Sequence, residues 1–301
     1  MNKVISIVLL QRAYFPHVWR QRFSLLLVLS LLAVSEAGHA TVISGSSSSY
    51  GLSADIDVTL LNVLGPPTIV NVSAGPAPTS SGTAPAPYGD SDSLVSLSAG
   101  LPGVLGVSTG LLQTSAVSGI DGAPGSSYAF ADASVANLAI SALAQLSLSA
   151  ELIRSATGVS GDHGTLVASG GTTLVNAAIS GPLGSIALDV FPAPNTVVNV
   201  ATLGLVGVSL ILNEQIETGD GINSRGRAVN AIHLTLDGFV SGLISLTGDI
   251  IISHSEAHMQ AQPNQPNEPV QVPEPTTLAL MSLGFAALNW RSRRKEADYL
   301  A

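Results

Sequence analysis

The stretch at residues 52–60, LSADIDVTL, places Leu52, Ala54, Ile56, Val58 and Leu60 on one face of an extended chain and Ser53, Asp55, Asp57 and Thr59 on the other. A strand sends successive side chains to opposite sides, so this period of two describes one buried face and one wet face. A second stretch, AVNAIHLTL at 228–236, repeats the pattern with Ala228, Ile232, Leu234 and Leu236 inward and Asn230 intruding. Further strand-like runs are expected at 94–98, 127–138, 143–150, 172–179, 186–190, 197–202, 208–214 and 242–253. Gly and Pro punctuate them, as GPP at 65–67, GAPG at 122–125 and PAPN at 192–195, and such clusters mark turns. Many short strands joined by turns predict an all-β body, an antiparallel sandwich or barrel. A β-solenoid is the alternative, and it ranks second because no fixed repeat length recurs.

Composition sets how such a body holds together. Of 301 residues, 46% are hydrophobic but only 4% are aromatic and 10% charged, so the core is built from small and branched aliphatic side chains. The absence of cysteine excludes disulfides, thiolate metal sites and thiol catalysis. Between residues 41 and 271 the cations are Arg154, Arg225 and Arg227 against sixteen carboxylates, a net charge of −13. A body this acidic repels phosphate backbones, which argues against nucleic acid as a partner.

The ends carry different signals. Residues 23–34, FSLLLVLSLLAV, follow Arg12, Arg20 and Arg22 and precede SEAGHA, the order of a secretory signal. Twelve residues at about 1.5 Å each fall short of a hydrocarbon slab of about 30 Å, which favours a cleaved signal helix over a permanent anchor. Residues 1–40 are therefore expected to be a signal peptide cut after Ala40, with Gly38/Ala40 as the preferred small pair and Ser35/Ala37 second. The body is assigned to 41–258, with the Pro-, Ser- and Gly-rich segment 71–93 as a mobile loop. Residues 259–271, MQAQPNQPNEPVQ, read as a disordered linker. Beyond them stand Pro273, Glu274 and Pro275, an apolar run at 276–290 that suits a transmembrane helix, a basic cluster at 291–295 and a short tail at 296–301. The positive-inside rule places that cluster and tail in the cytoplasm.

In this tripartite order, residues 272–295 resemble the PEP-CTERM sorting signal of exported proteins in Gram-negative, exopolysaccharide-producing bacteria. The resemblance implies export, transient anchoring through the 276–290 helix, and processing near Pro273, Glu274 and Pro275 by an exosortase, a membrane-bound cysteine transpeptidase. Those three residues are then recognition residues of a substrate. More weakly, LSADIDVTLLNVLGPP near the start of the body, PAPNT at 192–196, LNEQ at 212–215 and VNAIHLTL at 229–236 resemble the choice-of-anchor P group, whose members share a body and differ in their C-terminal anchors.

Catalytic chemistry has no motif to stand on: no G-x-S-x-G elbow, P-loop or dinucleotide fingerprint occurs in context. No catalytic residue, cofactor or metal ligand is assigned, and the chain is read as a non-enzyme. His254 and His258, four apart, would share a face on a helix, yet they follow a strand-like run and lack a third ligand. His233 falls on the polar side of its strand. The pairs Asp55/Asp57 and Asp90/Asp92 and the loop at 217–221 offer oxygens for calcium without EF-hand spacing, and read as solvated strand faces and turns. The triplet Asn71-Val72-Ser73 matches a glycosylation sequon with no eukaryotic context to give it meaning. Sugar binding calls for exposed aromatics, and the body offers Tyr50, Tyr88, Tyr128, Phe130, Phe191 and Phe239. Three together on one face would favour binding, and burial of all would favour a structural role. The expected partners are signal peptidase, exosortase, the membrane before processing, and exopolysaccharide. The expected role is a structural or adhesive protein of the cell surface or extracellular matrix, with a carbohydrate- or calcium-binding module as the alternative.

Overall fold

The computed structural model describes residues 41–62 and 65–263. Fifteen strands follow one another: β1 (Thr41–Leu60), β2 (Thr68–Ala84), β3 (Tyr88–Leu94), β4 (Ser98–Leu101), β5 (Leu105–Ser108), β6 (Leu112–Ser118), β7 (Ser127–Ala142), β8 (Leu146–Gly161), β9 (Val167–Val175), β10 (Ala178–Gly181), β11 (Gly184–Ala187), β12 (Thr196–Val198), β13 (Val208–Gly219), β14 (Ser224–Ser241) and β15 (Ile244–Gln262). Among the described residues a single 3₁₀ turn, Val200–Leu203, interrupts them. All strand pairings among the described residues are antiparallel. The first sheet runs β12-β13-β14-β15-β1-β2; the second runs β11-β10-β8-β7-β5-β4, with β9 also on β8 and β6 joining β7 to β3. The inward faces of both sheets share one core, in which Leu52, Ile56, Leu234 and Ile250 of the first meet Ile140, Leu148, Ile153 and Ile179 of the second. The fold is thus an antiparallel sandwich, as the alternation predicts.

A seam crosses both sheets. In β1 the buried positions are Ser47, Ser49 and Gly51, then Leu52, Ala54 and Ile56; in β15 they are Ile250 and Ile252, then Ser253 and Ser255. The inward phase thus changes where Gly51 lies opposite Ser253, between the pairs Tyr50↔His254 and Leu52↔Ile252. Ala231 and Asn213 continue this row across the sheet. Ser253 (φ 56°) and Asn213 (φ 50°) are left-handed, as are Asn137 (φ 51°) and Asn176 (φ 49°), both opposite Glu151 in the second sheet. One left-handed residue breaks the two-residue alternation, and Asn tolerates that conformation because its amide finds local partners. Here Asn213 Nδ2 donates to Pro192 O at 2.8 Å and Asn176 Nδ2 to Glu151 Oε2 at 2.6 Å.

The seam divides the interior into unlike halves. On the Leu60 side lie the large aliphatics and Phe239. On the Thr41 side the sheets are joined by hydroxyls: Ser49 Oγ donates to Ser115 O (3.0 Å), Ser80 Oγ meets Thr114 Oγ1 (2.8 Å), and Ser253 Oγ donates to Ala133 O (2.8 Å) while accepting from Ser155 N (2.8 Å). A smaller cluster of Val42, Ile120, Val159, Leu166 and Met259 closes that end.

Three expectations are corrected. Segment 71–93 is not a loop: it forms most of β2 and β3. Pro76 and Pro78 are accommodated because β2 pairs only with β1, and an edge strand does not need every N–H. The residues from Met259 to Gln262 are not linker: β15 runs through them, and Met259 is fully buried against the end cluster. The strand expected at 94–98 falls on the bend between β3 and β4. The expected linker from 264 to 271, the signal peptide with Ala40, the helix at 276–290, the tail at 296–301 and the residues Pro273, Glu274 and Pro275 lie outside the described residues.

Candidate functional site

The densest group of titratable side chains lies on the outer face of the first sheet, where β13, β14, β15 and β1 run side by side. Register brings Glu214 opposite Asn230, Asn230 opposite His254, and His254 opposite Tyr50. Because these positions straddle the seam, His233 joins the same outward row set although it differs from Asn230 by an odd number of residues. His254 Nδ1 lies 2.6 Å from Asn230 Oδ1, whose amide donates to Glu214 Oε2 at 2.7 Å. The same Glu214 oxygen is 2.9 Å from His233 Nδ1, and His233 Nε2 is 3.1 Å from Asp249 Oδ1. Thr235 Oγ1 donates to that Asp249 oxygen at 2.7 Å. Tyr50 stacks on His254 with ring centroids 4.5 Å apart and an interplanar angle of 15°.

The electrostatics follow from this layout. Burial, with the carboxylates of Glu256 and Glu214 adding, pushes the Tyr50 hydroxyl above its ordinary range. Glu256 is held below the usual carboxylate range chiefly by the polar contact with His254, whose Nε2 lies 3.9 Å from Glu256 Oε2, against a contribution from burial and with the fields of His254 and His258 adding. The network's side chains bond to one another across the outer face of the sheet. Among the described residues, no group of three or more His, Asp and Glu is arranged to hold a metal ion. His254 and His258 sit on a strand, not a helix, and His254 is committed to Tyr50 and Asn230.

The carboxylates singled out for calcium are engaged by protein donors. Asn71 Nδ2 donates to Asp55 Oδ1 (2.7 Å) and Asp57 Oδ1 (3.1 Å). Asp90 accepts from Ser81 N at 2.9 Å and Asp92 from Ser93 N at 2.8 Å. Glu217 pairs with both Arg225 and Arg227. Asp220 caps its turn by accepting from the backbone N–H groups of Ser224, Ile222 and Asn223 and from the Asn223 amide, which holds its carboxyl well below the usual range.

The aromatics divide three ways. Phe239 is core. The hydroxyls of Tyr88 and Ser47 share a hydrogen bond of 2.8 Å, and Tyr50 is stacked as above. Phe191 is exposed by itself in the segment before β12, while Tyr128 and Phe130 are exposed together on the outer face of β7.

Glu214, Asn230 and the left-handed asparagines were not singled out from sequence as interacting residues. The available signal was the intrusion of Asn230 into an apolar series, which marks the strand changing phase.

Against this geometry stand the likenesses to known proteins. Residues 271–295 match the PEP-CTERM protein-sorting motif, a span that contains Pro273, Glu274 and Pro275. No curated protein matches the chain. Among solved structures, the crystal structure of Ail, the attachment invasion locus protein of Yersinia pestis, overlaps 73% of this chain and 99% of that chain at 10% identity, with a TM-score of 0.16. At that score the likeness carries no argument. The sorting motif does: the chain is similar to exported proteins that are transiently anchored in the membrane and sorted by an exosortase.

Proposed function

We propose that this is a non-enzymatic structural or adhesive protein of the cell surface or exopolysaccharide matrix. Its sandwich is carried across the inner membrane behind a signal peptide cleaved by signal peptidase. The segment 276–290 then holds it in the membrane as a helix until the exosortase acts at Pro273, Glu274 and Pro275. The observation that carries the reading is the sorting motif at 271–295, directly behind a strand-built body. The way in which the body's histidines and carboxylates bond to one another across the outer sheet face supports a non-catalytic role. Its body also fits the choice-of-anchor P group in the segments named above. The net charge of −13 between residues 41 and 271 keeps nucleic acid out of the partner set.

A second reading, carbohydrate binding, is favoured by one observation, the paired exposure of Tyr128 and Phe130. Calcium gains no such support, since the candidate carboxylates already accept protein N–H groups.

The test is genetic. Deleting the gene is expected to weaken surface attachment or the cohesion of the extracellular matrix, with recovery on complementation by the full chain. Attachment and cohesion equal to the parent in the deletion strain reject the structural and adhesive role.

A further inference from the structure

The outer face of the second sheet carries a groove of about 380 Å³ that the sorting motif does not explain. Three rows of paired residues cross it: Phe130, Gly158 and Ser169; then Asp132, Ala156 and Gly171; then Ser134, Arg154 and Thr173. The middle row is floored by Ala156 and Gly171, and a Cβ added to Gly171 would meet no atom within 4 Å. Phe130 and Arg154 stand at the two ends, four residues apart in strand terms, or about 13 Å. That spacing admits a sugar-sized ring between them.

The walls have a specific chemistry. Phe130 lies over Gly158, close enough that a Cβ there would sit 3.0 Å from its ring, and the ring is still 36% exposed. Two residues earlier, Tyr128 covers Gly119 in the same way and is 53% exposed. Each ring thus rests one face on a glycine and leaves part of its surface to solvent, which keeps it flat and pre-ordered. At the other end, Arg154 Nε donates to Asp132 at 2.6 Å, and its terminal nitrogens have no protein partner among the described residues. Flat apolar platforms with a few fixed polar groups are the make-up of a site for a ligand that is apolar on one face and hydroxylated at its rim.

We infer that this face binds a neutral polysaccharide: pyranose rings lie on Phe130 and Tyr128, and their hydroxyls meet Arg154 and the residues beside it. Charge complementarity selects neutral over acidic glycan, because Asp132 already balances Arg154 and the rest of the body is acidic. The inference deepens the carbohydrate reading above, and its assay does not depend on sorting. Matrix loss on gene deletion with no glycan binding overturns this site alone; glycan binding with no effect of deletion overturns the structural role alone.

The test is affinity electrophoresis of the mature protein, recovered after export, through gels containing hydroxyethylcellulose, dextran or galactomannan, with alginate as the acidic comparison. Retardation by at least one neutral polymer, unchanged by added salt, is expected. Phe130→Ala is expected to weaken it at least fivefold. Because that change also uncovers Gly158, Gly171→Val serves as the second variant: it fills the groove floor at a strand position with open space, and is expected to abolish retardation without lowering the melting temperature. No retardation by any neutral polymer, salt-sensitive retardation by alginate alone, or full retardation of the Gly171→Val protein each overturns the inference.

Discussion

On the Leu60 side of the seam, Leu234 and Ile250 share an aliphatic core with Leu148 of the other sheet; on the Thr41 side, Ser49 bonds the backbone of Ser115, Ser80 bonds Thr114 and Ser253 bonds Ser155. The long strands β1, β2, β7, β8, β14 and β15 run through both halves, although in the second sheet β5 and β10 flank the aliphatic half where β6 and β9 flank the polar one. What differs is the force between sheets. The first half relies on area removed from water, about 25 cal/mol per Å², which is non-directional and tolerates repacking. The second relies on hydroxyls that each need a partner, and a buried hydrogen bond contributes only about 1 kcal/mol net while an orphaned group costs about 1–3. A chain this poor in aromatics can thus close a long sandwich, but its polar half is selected for geometry more than for strength.

This contrast can be broken most forcefully in the aliphatic half. Leu234→Ala removes a fully buried side chain and is expected to cost about 2–5 kcal/mol in denaturant unfolding. A cost below that range would mean the two halves contribute alike. At the seam, Ser253→Ala leaves Ala133 O and Ser155 N without their partner and is expected to cost about 1–3 kcal/mol. Ser253→Gly loses the same bonds but accepts the left-handed backbone, so it should be less harmful than the alanine by about 1 kcal/mol. Equal losses would show that the conformation at 253 carries no strain. Next in size is the pair Ser80 and Thr114. Ser80→Ala and Thr114→Val should each cost about 1 kcal/mol, and the double variant less than their sum, because the orphan created by one is removed by the other. Strict additivity in that cycle would deny the bond between them.

The smallest effect is one of pH on the outer face. Glu256 has its carboxyl depressed in the folded state, chiefly by the polar contact with His254 at 3.9 Å. Its contribution is therefore present above the ordinary glutamate value and lost as pH falls through the lower, folded one. The side chain is 54% exposed, so solvent screens the effect to a small shift. Tyr50 moves the other way: raised mainly by burial, it favours the fold below its ordinary value of 10.0 and loses that advantage as pH rises above it. Melting curves across pH should show a shallower acid limb for Glu256→Gln than for the parent, and identical limbs would remove the His254 contact from the account.

The aliphatic half was legible because its alternation is uninterrupted: Leu52, Ala54, Ile56 and Val58 are all buried, as period two requires. The polar half was not, for a physical reason. Its inward residues are Ser, Thr, Gly and Ala, so a strand such as β2 carries no hydrophobic contrast between its faces and resembles a loop in composition. The same ambiguity hid the end of β15, where Met259 and Ala261 are inward among Gln and His. The outer-face network was half visible. Histidine 233 could be placed on a wet face by parity, but joining it to Asn230 and His254 required the phase change at Ala231 and Ser253, which no residue type announces unaided.

The described strand β15 leads from the polar half toward the sorting motif at 271–295, so delivery and architecture meet at that end of the chain. Intact-mass spectrometry of the exported protein from cells with and without their exosortase addresses this most directly. The account predicts a C-terminus cut near Pro273, Glu274 and Pro275 in the parent and the full tail to Ala301 when the transpeptidase is missing. One and the same C-terminus in both strains would contradict it.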